Sequence, residues 1–160
     1  MNRLNRFGVL TAIVTCVSAL SFAFLPASVV GDQDAHKDHA QDSNMAAAQK
    51  TAQSCYDCVR EVNKGFHHCV EQLAAGKKEY SKALQACADM AILAGACGDL
   101  CGRSSPMMGY SAEACARGCD DCAAECEKLK DSAMASVVTA CRKSAADCRE
   151  MVKMMAGGKK

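Results

Sequence analysis

Cysteine recurs at helical spacings along most of this chain, and that pattern constrains the fold more than any other feature. An α-helix turns about 100° per residue, so the cysteines of each helical stretch fall within about 80° of one another. A stripe of this width is the face that a bundle helix turns toward its core. The twelve cysteines in question are Cys55, Cys58, Cys69, Cys87, Cys97, Cys101, Cys115, Cys119, Cys122, Cys126, Cys141 and Cys148.

Four helical stretches are predicted, because alanine, lysine, glutamate and methionine dominate and no segment alternates with period two. We expect them over about 45–75, over about 79–101, from Ser111 to about 130, and from 131 or 132 to the sequence AGGKK. Gly76 is the expected end of the first, Ser111 the expected N-cap of the third, and a break is expected at Asp131–Ser132. Short connections favour an all-α, antiparallel up-down-up-down four-helix bundle with a cysteine-lined core.

Composition limits the function classes. The 160 residues suggest one domain, and the formal net charge of +1 gives no indication of a nucleic-acid partner. We find no nucleophile–base pair, no paired carboxylates and no Gly-rich phosphate loop, so an enzyme is not expected. Outside the cysteine stripes, His67 and His68 are interpreted as surface residues.

The N-terminal segment is typical of a secretory signal. Arg3 and Arg6 precede a long apolar run that contains Cys16, and small residues follow, with cleavage after Ala27 or Gly31. The domain plan is therefore a signal peptide at 1–31, a flexible polar linker at 32–44, the bundle at 45–156 and a disordered tail at 157–160. We expect export to the periplasm. The two arginines are not adjacent, so a twin-arginine signal is not supported, and the export route stays open.

Two conventional uses of cysteine fit the pattern less well. A disulfide-stapled structural protein is the default for an exported chain with an even cysteine count, but three, three, four and two cysteines per helix pair awkwardly. A zinc or iron–sulfur site needs four ligands at one place, often from a knuckle on a loop, whereas these pairs lie inside helices with no tetrad grouping. A redox enzyme would need an exposed thiol beside a basic neighbour.

A soft-metal site fits better, because thiolate and thioether ligands select Cu(I), which accepts few sulfurs and needs no tetrad. Several methionines also map to one end of an up-down-up-down bundle, with two histidines tethered nearby. We interpret this end as a metal entry site, although any one methionine alone reads as a gap-filling residue. The residues concerned are Met45, Met107, Met108, Met151, Met154, Met155, His36 and His39.

Taken together, the segments CYDC, CADMAILAGACGDLC, CARGCDDCAAEC and CRKSAADC resemble the four-helix-bundle copper storage proteins, in their exported branch. The resemblance covers roughly 45–156. It implies that the twelve cysteines bind many Cu(I) ions, for copper supply or detoxification. It also implies a homotetramer, copper ions as the cargo, and copper donor or acceptor proteins as partners.

Overall fold

The chain forms four α-helices in a computed structural model that describes the backbone of residues 35–157 and the side chains of 42–157. Two single-turn 3₁₀ segments, Lys78–Tyr80 and Ser132–Met134, precede the second and fourth helices, and the described residues contain no strand. The predicted all-α class is therefore confirmed. The helices are α1 Ala35–Ala74, α2 Ser81–Gly102, α3 Met108–Lys128 and α4 Ala135–Gly157.

Each helix packs against two neighbours: α1 and α3 both contact α2 and α4. Near the start of α1, Lys50 pairs with Glu150 near the end of α4, at 2.7 Å. Toward the end of α1, His68 contacts Asp131, just before α4. These two contacts make α1 and α4 antiparallel, which fits the up-down-up-down order.

The core is built from small side chains. Its largest fully buried members are Met90, Met134, Met151, Val62 and Val137, and the rest are mostly cysteine and alanine. Small side chains let helices approach closely, so the packing of this core depends on thiols and methyl groups.

Helix α2 is unusually apolar. Of the described residues, only the segment Lys78–Gly102 is long and apolar enough to cross a membrane, and the core helix of a bundle meets the same criterion. Cys87, Cys97 and Cys101 on this helix are fully buried against the other helices. The buried face of α2 therefore accounts for part of its apolar composition, whereas Ile92 on its outer face is 76% exposed.

The end of α1 has the geometry predicted for Gly76. This glycine has φ +87°, its N–H donates to the Leu73 carbonyl at 2.9 Å, and the Lys77 N–H donates to the Gln72 carbonyl at 3.0 Å. The paired bonds define a Schellman motif, which favours glycine at this position because an L side chain is strained there.

Two predicted helix starts are wrong. Helix α1 begins at Ala35 rather than near Met45, so residues 35–44, predicted as a linker, are helical. That segment contains neither glycine nor proline, so nothing local stops the helix. Helix α3 begins at Met108, and Ser111 lies inside its first turn, where its hydroxyl donates to the Met108 carbonyl at 2.9 Å. The predicted signal peptide (1–31) and residues 158–160 lie outside the described residues.

The break between α3 and α4 is centred on Asp131, as predicted. Its Oδ1 accepts the Ala133 N–H at 2.9 Å and caps the 3₁₀ turn, while its Oδ2 accepts the Tyr80 hydroxyl at 2.8 Å. Nε2 of His68 lies 2.7 Å from the same Oδ2. The Ala133 N–H, followed by His68 and Tyr80, lowers the pKa of Asp131 to about 2. His68, predicted to be a surface residue, is thus half-buried and paired.

We predict that Asp131→Ala lowers the free energy of unfolding by about 1 kcal/mol at pH 7, the usual loss for a helix-capping side chain. Because the folded-state pKa is lowered, the stabilisation is present above the unfolded pKa and disappears as pH falls toward 2. Urea unfolding of the reduced protein between pH 7 and pH 2.5 measures both effects. Asp89→Ala, on the exposed side of α2, is the matched control; it removes one exposed hydrogen bond from Gln85 and should cost at most about 0.5 kcal/mol. An equal loss in both variants would contradict the capping role.

Candidate metal centre

The described part of the chain holds its twelve cysteines in the interior of the bundle. Each is a free thiol, and none is more than 1% exposed. Apolar residues at neighbouring helical positions are buried with them, among them Val62, Met90, Ala94 and Met134. The prediction of a cysteine-lined core is confirmed.

Ten of the twelve thiols gather into three clusters, within each of which all Sγ atoms lie within 4.8 Å of one another. The four-thiol cluster takes one cysteine from each helix. The middle cluster takes one each from α1, α3 and α4, and the α2–α3 cluster takes one from α2 and two from α3. In that order, the clusters are Cys55, Cys97, Cys115 and Cys148; Cys58, Cys119 and Cys141; and Cys87, Cys122 and Cys126.

The thiols of each cluster are in contact across helices. Cys55 Sγ lies 3.9 Å from both Cys115 Sγ and Cys148 Sγ, and Cys58 Sγ lies 3.7 Å from Cys141 Sγ. A disulfide would require about 2.05 Å, so these are packing and hydrogen-bonding contacts. The arrangement offers several sulfur ligands to one ion without large movement of the backbone.

The four-thiol cluster corrects one expectation. No four-ligand grouping was predicted, because the cysteines that form it lie far apart along the chain. The bundle nevertheless brings four thiols together at one level. Four thiolates are also a sufficient ligand set for tetrahedral zinc. Zinc at this cluster is therefore a competing occupant that any test of metal binding has to include.

Two thiols lie outside the three clusters. Cys101 Sγ is 4.0 Å from Cys97 Sγ, one turn along α2, and so extends the four-thiol cluster. Cys69 is fully buried near the other end of α1. Desolvation, with the charges of Cys122 and Asp131, raises the pKa of the Cys69 thiol. Both thiols are fully buried.

Hydrogen bonds between thiols differentiate the sulfurs. Hydrogen bonding with Cys101, Cys115 and Cys148 lowers the pKa of Cys97 in the four-thiol cluster. In the middle cluster, hydrogen bonding led by Cys115 lowers the pKa of Cys119. In the α2–α3 cluster, hydrogen bonding led by Cys126 does the same for Cys122.

The pKa values of several partner thiols shift in the opposite direction. Hydrogen bonding to Cys122, together with burial, raises the pKa of Cys126 to about 12. Each cluster therefore contains one thiol whose pKa is lowered by hydrogen bonding with other thiols. Because metal binding requires deprotonated sulfur, these thiols have to lose their protons when an ion enters.

One polar residue in the thiol lining was missed by the sequence analysis. Ser144 is fully buried, and its hydroxyl oxygen lies 3.6 Å from Cys55 Sγ. It lies three residues after Cys141 and four before Cys148, so helical geometry places it on the same stripe. The helical spacing of Ser144 was sufficient to place it on this face, but only cysteines were considered as candidate lining residues.

The predicted entry methionines differ in burial. Met151 is fully buried, Met108, Met154 and Met155 are half-buried, and Met45 and Met107 are exposed. Met155 lies at Gly109, where an added Cβ would be 3.1 Å from its Sδ, so the start of α3 meets the end of α4. The backbone of His36 and His39 lies on the first turns of α1. Entry through this end stays a prediction.

These observations define a metal-binding class of protein: a four-helix bundle whose interior presents clusters of buried, free thiols. Comparison with known families agrees. A family model described as copper storage protein matches residues 43–153, most of the chain and nearly all of the bundle. The chain belongs to the copper storage protein family. A search of curated proteins found no match.

Proposed function

We propose that this protein stores several Cu(I) ions, bound by the thiolates of the twelve core cysteines. The observation that carries the proposal is the distribution of the thiols along the bundle. Three clusters occupy successive levels of one bundle, and the chain belongs to the copper storage protein family. A single structural ion would need one of these levels. A lining that extends through all of them suits a cargo of many ions.

Charge balance supports a monovalent cation. Burying an unpaired charge is costly, and no lysine or arginine is buried in the described part of the chain to compensate twelve thiolates. When Cu(I) replaces a thiol proton, one positive charge leaves as another arrives, so the charge of the core does not change. The interior can therefore fill progressively without accumulating charge.

Ligand chemistry favours copper over zinc for the lining as a whole. Thiolate and thioether ligands select Cu(I), whereas structural zinc sites are almost always four-coordinate. Only the four-thiol cluster offers four sulfurs at one level, and the other two clusters offer three. Zinc can thus satisfy its usual geometry at one level, while Cu(I) can use all three.

The proposed role is storage or sequestration and not catalysis. The family is one of storage proteins, and the thiols are enclosed by the bundle and not arranged around an open substrate site. Copper donor and acceptor proteins would load and empty the bundle. The supply of copper and protection from free copper use the same chemistry, and both are consistent with this geometry.

Titration of the reduced, metal-free protein with Cu(I) against a competing chelator tests the proposal. We expect all twelve thiols to be reduced and shielded from thiol reagents in the folded domain. We also expect uptake on the order of ten ions per chain, because low-coordinate sulfur sites share ligands. Replacing Cys58, Cys119 and Cys141 together with serine should remove about three ions. Light scattering on the same samples tests the homotetramer that the family resemblance implies.

Met90→Leu is the matched control for that titration. It removes a buried sulfur from the inward face of α2 at nearly constant volume, and we expect the number of bound ions to stay the same. Six intact disulfides with no tight uptake would contradict the proposal. So would a single zinc ion at the four-thiol cluster that excess Cu(I) does not displace.

We also propose that copper enters at the end of the bundle that carries the methionines. Replacing Met107, Met108 and Met155 together with leucine should slow Cu(I) loading, while the final number of ions stays at the wild-type value, because thioethers pass the ion on and thiolates retain it. Stopped-flow loading from a chelated Cu(I) donor measures the rate. Leucine at Met134, buried at the opposite end, is the control. Equal rates in all three proteins would exclude the methionines from entry.

Export is proposed from the sequence of residues 1–31 alone. Arg3 and Arg6, the apolar run and the small residues after it support a cleaved signal. In a bacterial host, the periplasmic fraction should contain a chain shortened near Ala27 or Gly31, as determined by N-terminal sequencing. Recovery of the uncleaved chain from the cytoplasm or the membrane would contradict the proposal.

A further inference from the structure

Ser144 interrupts the thiol lining at the junction of two clusters. On α4 the stripe runs through Cys141, Ser144, Cys148 and Met151, and all four side chains are fully buried. On helical geometry, Ser144 lies about 40° from Cys148 and about 60° from Cys141 around the helix axis. It therefore occupies the position at which a further cysteine would face the same interior.

The hydroxyl of Ser144 connects the two neighbouring clusters. Its oxygen lies 3.6 Å from Sγ of Cys55, which belongs to the four-thiol cluster. It also lies close enough to Cys119, which belongs to the middle cluster, to help lower the pKa of that thiol. The hydroxyl thus contacts a ligand candidate on α1 and lies beside another on α3, at the level where the two clusters meet.

The other buried polar side chains nearby are differently engaged. The Thr51 hydroxyl donates to the Asp147 carbonyl at 3.4 Å, and the Ser54 hydroxyl donates to the Thr51 carbonyl at 3.1 Å. Asp147 pairs with Lys50 and with a lysine one turn before it on α4. These groups satisfy one another between α1 and α4, whereas the hydroxyl of Ser144 faces sulfur.

A serine hydroxyl at this position differs chemically from a thiol. Cu(I) is selected by thiolate and thioether ligands, so an alcohol oxygen does not compete for it. A hydroxyl does provide one O–H donor. Hydrogen bonds from a second layer of residues orient metal ligands and tune their affinity.

We propose that Ser144 is a positioning residue that donates its single hydroxyl hydrogen to the metal-bound thiolate of Cys55, with the thiolate of Cys119 as the alternative acceptor, and that it holds the four-thiol and middle clusters as two adjoining groups. This inference rests on the proposed function, since it assigns a role toward the copper-binding thiolates. Because the oxygen is not a ligand, the residue limits the number of sulfurs at this level while it strengthens the sites on either side.

Ser144→Ala tests the donor role. The variant removes only the hydroxyl, so we expect the wild-type number of Cu(I) ions, with about 10-fold weaker binding for the subset held by Cys55 and Cys119. Competition with a chelator measures affinity, and the ultraviolet band of copper bound to thiolate reports the change in sulfur environment. A competition curve and spectrum identical to those of the wild type would overturn the inference.

Ser144→Cys tests the gap in the lining. A thiol there would contact Cys55 and Cys119, so we expect about one additional Cu(I) per chain, because three adjoining sulfurs make a low-coordinate site. Ser54→Cys is the matched control: it adds a buried thiol where the hydroxyl faces the Thr51 carbonyl, and should add no ion. Equal uptake by both cysteine variants and the wild type would overturn the inference.

The proposed function and the role of Ser144 can be disproved separately. If the wild-type protein takes up no Cu(I), the proposed function is wrong, whatever the Ser144 variants do. If the wild type loads fully and the Ser144 variants match it in number, affinity and spectrum, only the role of Ser144 is wrong. Thermal unfolding and the free-thiol count of each metal-free variant establish that it is folded and reduced before copper is added.

Discussion

Contact between thiols on different helices is the constraint on which this structure depends. Sulfur atoms 3.7 to 4.0 Å apart require the four helices to approach closely. Glycine and alanine at the helix contacts make that approach sterically feasible. At Gly65, for example, an added Cβ would lie 2.7 Å from a methyl carbon of Val137 and 3.3 Å from Cys87 Sγ. The small residues that surround the cysteines are therefore part of the site.

Helical spacing was sufficient to predict which face of each helix turns inward, and therefore that all twelve cysteines are buried. It could not predict which cysteines meet. Spacing determines the direction of a side chain around its own helix axis, whereas the grouping of Cys55 with Cys97, Cys115 and Cys148 depends on how far each helix slides along its neighbours. That displacement is determined by tertiary packing, which no local pattern records.

The helix boundaries illustrate the same limit at a smaller scale. Gly76 was predictable because a left-handed residue at a helix end favours glycine. Ser111 was mispredicted because a serine three residues into a helix can return its hydrogen bond to a carbonyl behind it, as this one does to Met108. The sequence around Ser111 is compatible with a serine that caps the helix and with one that lies inside it. The position at which the loop before α3 ends decides between the two.

The composition of the core also links storage to stability. Cysteine and alanine bury little apolar area each, and stabilisation scales with the apolar area removed from water. A core without a fully buried leucine, isoleucine or phenylalanine among the described residues contributes less than one of ordinary composition. An ion that binds only the folded chain adds its binding free energy to the free energy of unfolding. Under the proposed function, the thiols that contribute little to the stability of the metal-free core are the groups through which bound ions would stabilise it.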